Sequence, residues 1–361
     1  MRMVRILLFL ALGLSLAGCG QPGAPMPPSL HLPIPVKDLK ATRVGEKVTL
    51  TWTVPYETTD REVIRKPGRM HVCRTLKAED ECGKVIGEVP AQQGTEISRR
   101  DHPLVASFTD TLTPELHSKP LAQAIYTIEA VNDSGRSAGF GNRVDVPLAP
   151  TPAPPHGVSV TVQADGVHIS IPPQAMQSEP DQRLQYWYQV TRTAVPPGTG
   201  TPDLVGEVPA VGQGRLIDKN FEWEKAYAYT VTPVTWVETQ PNGKRLYSVP
   251  GDSAPPVEVV TKDVFPPATP TGLQAVYSGG PQKTIDLTWA PNTDADLAGY
   301  NVYRWVADGT PQKINSELVK TPTYRDPVSA PGEYTYAVSA VDLRGNESAK
   351  SAEASEKAPA E

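Results

Sequence analysis

The residues of this chain that could do chemistry are one serine, six histidines and a few acidic and thiol side chains. The run Gly135–Gly139 matches the GxSxG nucleophile elbow, in which Ser137 would need a histidine such as His102 or His117 as its base. An elbow requires a strand, a sharp turn and then a helix. Residues 142–146 have a strand-like pattern instead, which favours a glycine-rich hairpin loop. We predict no catalytic site, and a hydrolase using Ser137 is the alternative.

Metal ligands are equally sparse. The histidines never stand four residues apart around a glutamate, so the HExxH type of zinc site is absent from the sequence. Asp294 and Asp296 form a short acidic loop that could hold calcium, but it lacks the glycine and the distal glutamate of a dedicated calcium loop. We therefore expect no metal and no cofactor, and whether Asp294 and Asp296 hold an ion stays open.

Cys19 ends the run Leu-Ala-Gly-Cys, behind an apolar stretch over residues 6–17 that Arg2 and Arg5 precede. This stretch is too short to cross ~30 Å of hydrocarbon as a helix, and it is typical of a secretory signal. The run resembles the lipobox of bacterial lipoproteins, which implies cleavage before Cys19 and acylation of that cysteine. Gly20 resembles the pattern of lipoproteins sorted to the outer membrane. The alternative is an ordinary signal peptide with an incidental cysteine.

Cys73 and Cys82 remain as an even pair once Cys19 carries lipid. In an oxidising compartment such a pair favours a disulfide, which would stabilise the fold by roughly 2.5 to 3 kcal/mol on the chain-entropy model. A metal site using His71, Cys73 and Cys82 is the alternative, and it lacks a fourth ligand at a usual spacing.

Composition favours strands, turns and linkers over helices. Of the 361 residues, 39 are proline, which is about twice the usual share. The net charge of −6 argues against nucleic acid as a partner, because its recognition needs a basic face. We expect little helix and two to four domains.

Three short patterns recur three times along the chain. Each alternates apolar and polar residues, as strands with one buried face do. The first pattern ends in Trp52 and Trp289 in two copies and in Ile171 in the other. The copies are 47–52, 70–74 and 124–131 in the first unit, 166–171, 188–192 and 227–234 in the second, and 284–289, 300–304 and 334–341 in the third.

This arrangement resembles the fibronectin type III domain, a two-sheet antiparallel sandwich. The resemblance implies that the three patterns are strands B, C and F, with a core tryptophan on B and a tyrosine near the start of F. The first unit departs from it by placing Met70 and Ala124 where tyrosines would stand. The third unit matches best, through Leu273, Trp289, Tyr300, Val302, Tyr334, Tyr336 and the turn 342–346.

The predicted fold class is therefore all-β, with three tandem antiparallel β-sandwich domains joined by proline-rich linkers that favour extended segments. The predicted boundaries are a lipoprotein signal peptide at 1–18, a proline-rich stalk at 19–35, domains at 36–148, 156–262 and 268–350, and a disordered tail at 351–361.

Several aromatic residues are predicted on the outer faces of strands, because alternation turns them away from the core. A hairpin with a predicted type I′ turn at 241–244 is another predicted contact region, and we expect it to project beyond the second sandwich. The sequence predicts a non-catalytic, lipid-anchored spacer that binds an envelope protein or polysaccharide. The candidate binding surface comprises Trp187, Trp236, Tyr247, Asn242, Tyr303 and Trp305.

Overall fold

The computed structural model describes residues 29–174, 181–196, 198, 201–279 and 282–360. Cys19 and the signal segment lie outside them. Within these ranges a 3-10 helix at Pro114–Ser118 is the sole helical element, and no helix is long and apolar enough to cross a membrane. Two compact units divide the chain: the first runs to Thr151 and includes Val237–Pro250, and the second holds Pro152–Trp236 and the chain from Gly251 onward.

The first sandwich pairs a three-stranded sheet, β1-β2-β7, with a sheet in the order β10-β8-β3-β4, to which β9 adds beside β8; β5 and β6 form a small separate hairpin. All paired strands are antiparallel. The strands are β1 Lys40–Val44, β2 Lys47–Thr53, β3 Pro67–Thr75, β4 Lys84–Pro90, β5 Gln92–Gln93, β6 Glu96–Ile97, β7 Val105–Thr111, β8 Gln123–Asn132, β9 Ser137–Phe140 and β10 Val144–Pro147.

The second sandwich repeats this layout with the sheets β11-β12-β15 and β14-β13-β16-β17, and β18 also pairs with β16. Its strands are β11 Ser159–Gln163, β12 Gly166–Ile171, β13 Leu184–Val195, β14 Asp203–Pro209, β15 Gly214–Asp218, β16 Ala226–Glu238, β17 Arg245–Pro250 and β18 Val257–Val260.

The third sandwich has the sheets β19-β20-β23 and β22-β21-β24-β25. Its strands are β19 Gln274–Ser278, β20 Thr284–Thr288, β21 Leu297–Val306, β22 Gln312–Lys313, β23 Thr323–Pro327, β24 Gly332–Asp342 and β25 Ala354–Ala358. The predicted all-β class is confirmed. The three sequence patterns fall on β2, β3 and β8 and on their counterparts in the other two sandwiches.

Each sandwich has its own buried apolar core between its two sheets. In the third, the Trp289 and Tyr300 rings meet edge to face with centroids 5.1 Å apart, an arrangement that aromatic quadrupoles favour. In the first, Met70 replaces that tyrosine, and its sulfur accepts a bond from the indole N–H of Trp52 at 3.1 Å. The departure of Met70 from the repeat thus keeps a partner for the core tryptophan.

The predicted disordered tail at 351–361 is wrong for most of its length, because β25 pairs with β24 as the last strand of the third sandwich. Ala358 lies in the core, and Ser351 is buried where its hydroxyl accepts the Val338 N–H at 3.1 Å. The tail consists of small and charged residues, so its alternation of inward and outward positions is hard to see in the sequence.

The described end of the predicted stalk, residues 29–35, is held on the first sandwich. The Ile34 N–H donates to the Glu57 carbonyl at 3.0 Å, and the Thr59 N–H donates to the Leu32 carbonyl at 2.9 Å. Prolines in this segment leave other backbone groups free to pair, so a proline-rich composition does not by itself keep a segment off a fold.

The predicted disulfide joins Cys73 on β3 to Cys82, nine residues later. The bond excludes the alternative metal site, and His71 faces Glu129 instead, with Nδ1 3.1 Å from the carboxylate. The guanidinium of Arg143 also fixes the closed loop by donating to the carbonyls of Ala78 and Asp80, each at 2.8 Å.

An aspartate bonds to the facing sheet in all three sandwiches, and it is buried in the second and third and partly buried in the first. Each lies on the last strand of its three-stranded sheet and accepts hydrogen bonds from an arginine and a tyrosine of the facing sheet. In the first and third sandwiches this arginine and this tyrosine are cross-strand neighbours. We call this group the Arg-Asp-Tyr lock. Its members are Arg74, Asp110 and Tyr126; Arg192, Asp218 and Tyr229; and Arg304, Asp326 and Tyr336.

The lock satisfies polar groups that would otherwise be costly to bury. In the second sandwich, Asp218 accepts from Arg192 at 2.7 Å and from Tyr229 at 2.9 Å. Burial, reinforced by the hydrogen bond to the aspartate, raises the pKa of Tyr229 well above its usual range. Tyr126 and Tyr336 have pKa values raised by the same two causes in the same order. These hydroxyls therefore stay protonated as donors.

We expect replacement of each lock aspartate by asparagine to destabilise only its own sandwich, because the arginine loses its countercharge. The Arg192 side chain is 10% exposed and the Arg304 side chain 33%. Asp218→Asn should therefore cost about 3 kcal/mol and Asp326→Asn about 1 to 2 kcal/mol. Hydrogen exchange followed by peptide mass spectrometry reads each sandwich separately. Asp308→Asn, at an exposed loop residue, is the control, and equal losses in all three sandwiches would contradict the assignment.

We expect thiol titration of the unreduced, denatured mature protein to find neither Cys73 nor Cys82 free. The double variant Cys73→Ser, Cys82→Ser should lose roughly 2.5 to 3 kcal/mol of stability, since the ten-residue loop gains freedom in the unfolded chain. Detection of both thiols, or an unchanged stability in the double variant, would contradict this prediction.

Candidate functional site

Ser137 begins strand β9 and does not stand on an elbow between a strand and a helix. Its hydroxyl donates to Glu129 Oε1 at 2.7 Å, and His71 bonds to the other oxygen of the same carboxylate at 3.1 Å. A catalytic triad needs the base to bond the nucleophile and the carboxylate to bond the base. Here the carboxylate stands between the serine and the histidine, so the three side chains form a polar cross-strand group.

The two histidines considered as partners of Ser137 have other surroundings. His117 has both ring nitrogens engaged: Nδ1 lies 2.7 Å from the Leu148 carbonyl, and Nε2 contacts Glu46. His102 is exposed, and its carbonyl accepts the Arg99 N–H at 3.1 Å. The hydrogen bonds found among the described residues do not bring Ser137 together with either imidazole.

The aromatic residues of the third sandwich lie on the face of β21 that points away from the core. Tyr300 and Val302 are buried, whereas Tyr303 and Trp305 are half-buried, as alternation requires. The Tyr303 hydroxyl donates to Glu347 at 2.5 Å, and Lys350 Nζ lies 4.3 Å from the centre of the Tyr303 ring. Tyr303 is thus already occupied by two charged neighbours, which leaves Trp305 as the simpler surface for a ligand.

Trp187 occupies the corresponding outer face of β13 in the second sandwich and is half-buried. Its indole N–H donates to the Gln185 side chain at 3.2 Å, two residues back on the same face. Its cross-strand neighbour is Pro209 on β14. An aromatic ring beside a proline, with its polar edge turned along the strand, forms a flat apolar surface of the kind that stacks on a partner.

The hairpin between β16 and β17 carries the remaining candidates. Asn242 is exposed at its tip and has a φ of 57°, but Gly243 is not in the left-handed region. A type I′ turn needs positive φ at both central residues, so that prediction is wrong. Instead the Gly243 N–H donates to the Gln240 carbonyl at 2.8 Å around Pro241 and Asn242, with positive φ at the third residue as in a type II turn.

The hairpin segment Val237–Pro250 belongs to the first compact unit. The backbone carbonyl of its last residue, Pro250, accepts the Gly45 N–H at 2.9 Å. Tyr247 is half-buried, and so is Trp236 on β16. The expectation of a projecting contact loop therefore applies only to the exposed tip around Asn242.

Asp263, Asp296 and Asp342 bring one carboxylate oxygen each to within 4.8 Å of one another. Oxygen donors of this kind suit a hard divalent cation such as calcium, which takes six to eight of them. Asp342 also accepts the backbone N–H groups of Arg344 and Asn346, both at 2.8 Å. Burial raises its pKa, but hydrogen bonds from the Asn346 side chain and from these backbone groups outweigh burial and lower it. The turn itself thus gives Asp342 a structural role.

Asp294, the other acidic residue noted in the sequence, does not join this cluster. Its carboxylate accepts the Ala268 N–H and the Asn292 amide, both at 3.1 Å. Sequence reasoning found Asp296 but missed Asp263 and Asp342, because they lie 33 and 46 residues away from it, and only the fold brings them together.

Sequence comparison gives partial matches. No family model matches the chain. It is 38% identical over 89 residues to an amylopullulanase of Thermoanaerobacterium saccharolyticum and 34% identical over 112 residues to an amylopullulanase of Thermoanaerobacterium thermosulfurigenes. These segments are 24% and 30% of this chain, and the chain spans only 6% of the length of either relative.

Solved structures give matches that cover their own chains more fully. The FN1–FN3 domains of chicken CNTN1 match 90% of this chain and 98% of theirs at 15% identity, with a TM-score of 0.24. An Fn3-like protein from Clostridium thermocellum matches 25% of this chain and 92% of its own at 35% identity, with a TM-score of 0.22. Both matched structures consist of fibronectin type III or Fn3-like domains. The fold class of this chain is that of three tandem antiparallel β-sandwiches, as the strand patterns of the sequence predicted.

Proposed function

We propose that this protein is a lipid-anchored component of the cell envelope whose sandwich domains act as a spacer and as a binding module for a glycan or a protein. One observation carries the proposal. Each sandwich fills the space between its sheets with an apolar core and an Arg-Asp-Tyr lock. Such interiors leave the outer faces and the loops as the places where a partner can bind.

The reactive side chains support a non-catalytic role. The Ser137 hydroxyl donates a hydrogen bond to Glu129, and both ring nitrogens of His117 face acceptors. A serine nucleophile needs a base within hydrogen-bond reach that can take its proton. Here Glu129 bonds to the Ser137 hydroxyl through one oxygen and to His71 through the other. This arrangement links neighbouring strands and does not supply the base that acyl transfer needs.

The lipid anchor rests on Cys19, which lies outside the described residues. The support is the sequence: a basic start, a short apolar segment and small residues before the cysteine. Several acyl chains, at ~0.8 kcal/mol per buried methylene, would hold the protein at a membrane permanently.

A glycan is the ligand that the comparisons favour, since two matched proteins are amylopullulanases. Trp187 and Trp305 offer half-buried rings on strands β13 and β21, and strands fix a side chain more rigidly than loops do. Aromatic faces stack on sugar rings through apolar contact. We therefore propose these two tryptophans as the first residues to test, with an accessory role beside an envelope enzyme as the alternative.

For the anchor, we expect mass spectrometry of the protein from its native membrane to find cleavage before Cys19 and an acylated amino terminus at that residue. Cys19→Ser should release the protein from the membrane fraction, because the attachment site is lost. An intact, unmodified amino terminus would contradict the anchor and leave the binding role standing.

For the ligand, we expect the full chain to be retarded in affinity electrophoresis through pullulan or envelope polysaccharide. Loss of a stacking ring at the centre of a site costs about 2 kcal/mol or more. Trp187→Ala or Trp305→Ala should therefore weaken retardation at least tenfold. Val276→Ala is the control, because Val276 is also exposed but lies on the other sheet of the third sandwich. Equal retardation of all variants would contradict a role for these rings.

A further inference from the structure

His117 sits where three parts of the first sandwich meet. It lies on the 3-10 helix Pro114–Ser118, beside the turn between β1 and β2 and beside the segment where the chain leaves β10. Its side chain is only 14% exposed. Nδ1 lies 2.7 Å from the carbonyl oxygen of Leu148, and Nε2 contacts the carboxylate of Glu46.

Both partners of the imidazole are acceptors. A carbonyl oxygen and a carboxylate can only receive hydrogen bonds, so each ring nitrogen must carry a proton to make its bond. The neutral ring has one N–H, and whichever nitrogen keeps it, the other turns a lone pair toward an acceptor. The imidazolium form alone satisfies both contacts.

The charges around the ring agree with this geometry. The bond to Glu46 raises the pKa of His117, with a further contribution from the Leu148 carbonyl, and burial and Arg43 oppose the rise. On its own helix, Glu115 is exposed and its pKa is lowered by Thr113. Of these groups, His117 is the one whose ordinary pKa lies near neutral pH.

Arg43 fixes the same segment by a permanent charge. It is 8% exposed, and its guanidinium donates to the carbonyls of Gly45 and Pro147. The adjacent carbonyls of Pro147 and Leu148 are thus held by two cations, of which Arg43 stays charged at all relevant pH values. The backbone N–H of Leu148 in turn donates to Ala122 at 2.9 Å.

We propose that His117 is a proton-dependent latch that fastens the exit segment Pro147–Leu148 to the first sandwich. In the protonated state the ring bridges Glu46 and Leu148. Loss of the proton breaks one of the two bonds and leaves Arg43 as the remaining cation on this segment. Because the folded state binds the proton of His117 more tightly than the unfolded state, the stabilisation that this bridge gives the folded protein is complete below about pH 6.5, the ordinary pKa of histidine. It is lost as the pH rises through the higher value of the folded protein.

Hydrogen exchange of the full chain tests the latch. The protection factor of the peptide containing Leu148, corrected for the intrinsic rate at each pH, should fall about fivefold between pH 6 and pH 9, the factor expected for one lost hydrogen bond. His117→Gln should abolish this pH dependence, and His102→Gln, at an exposed histidine, should retain it. A protection factor that does not change with pH in the wild-type protein would overturn the proposal.

Glu46→Gln separates a latch from a merely structural histidine. Removing the carboxylate removes the main cause of the raised affinity for the proton, so the pKa of His117 followed by NMR should drop. The midpoint of the protection loss at Leu148 should move down in pH by the same amount. If the NMR titration shifts and the protection midpoint does not, the two events are uncoupled and the latch is refuted.

Discussion

In every sandwich of this protein, an aspartate from one sheet accepts hydrogen bonds from an arginine and a tyrosine of the other. A sandwich has few directional interactions between its layers, because apolar packing is tolerant of sliding. The Arg-Asp-Tyr lock supplies one such interaction, and removing any member would leave another polar group buried without its partner. Its arginine and tyrosine belong to the inward-facing residues of the central strands, and the residues that alternate with them face outward.

The outward faces carry the candidate binding side chains Trp187 and Trp305. With Tyr300 and Val302 committed to the core, Trp305 falls on the outer face, and with Tyr188 in the core Trp187 does the same. The second and third locks also place Arg192 and Arg304 over the rings of Tyr227 and Tyr334, at 5.0 and 5.7 Å from the ring centres. The first has Ala124 at that position. A fold that uses its charged and aromatic residues in this way suits a module that binds other molecules on its surface.

The sequence predicted the class, the strand patterns and the disulfide, because alternation and cysteine pairing are local signals that the fold preserves. It even aligned Arg74, Arg192 and Arg304 as equivalent residues. Their aspartates escaped notice because they follow at separations of 36, 26 and 22 residues, so no fixed spacing marks them. The last strand was missed for another reason: Ala354–Ala358 forms an edge strand from small and charged residues, and it is backbone pairing that specifies it.

The tyrosine hydroxyls give the most direct test of the lock. Burial and the aspartate bond together raise the pKa of Tyr126, Tyr229 and Tyr336, so NMR of the tyrosine ring carbons should show all three still protonated at pH 11 in the folded protein. An ordinary tyrosine titrates near pH 10. Ionisation of any of the three near pH 10, with the native spectrum otherwise intact, would mean that its hydroxyl does not donate to the aspartate of its lock and would contradict the account.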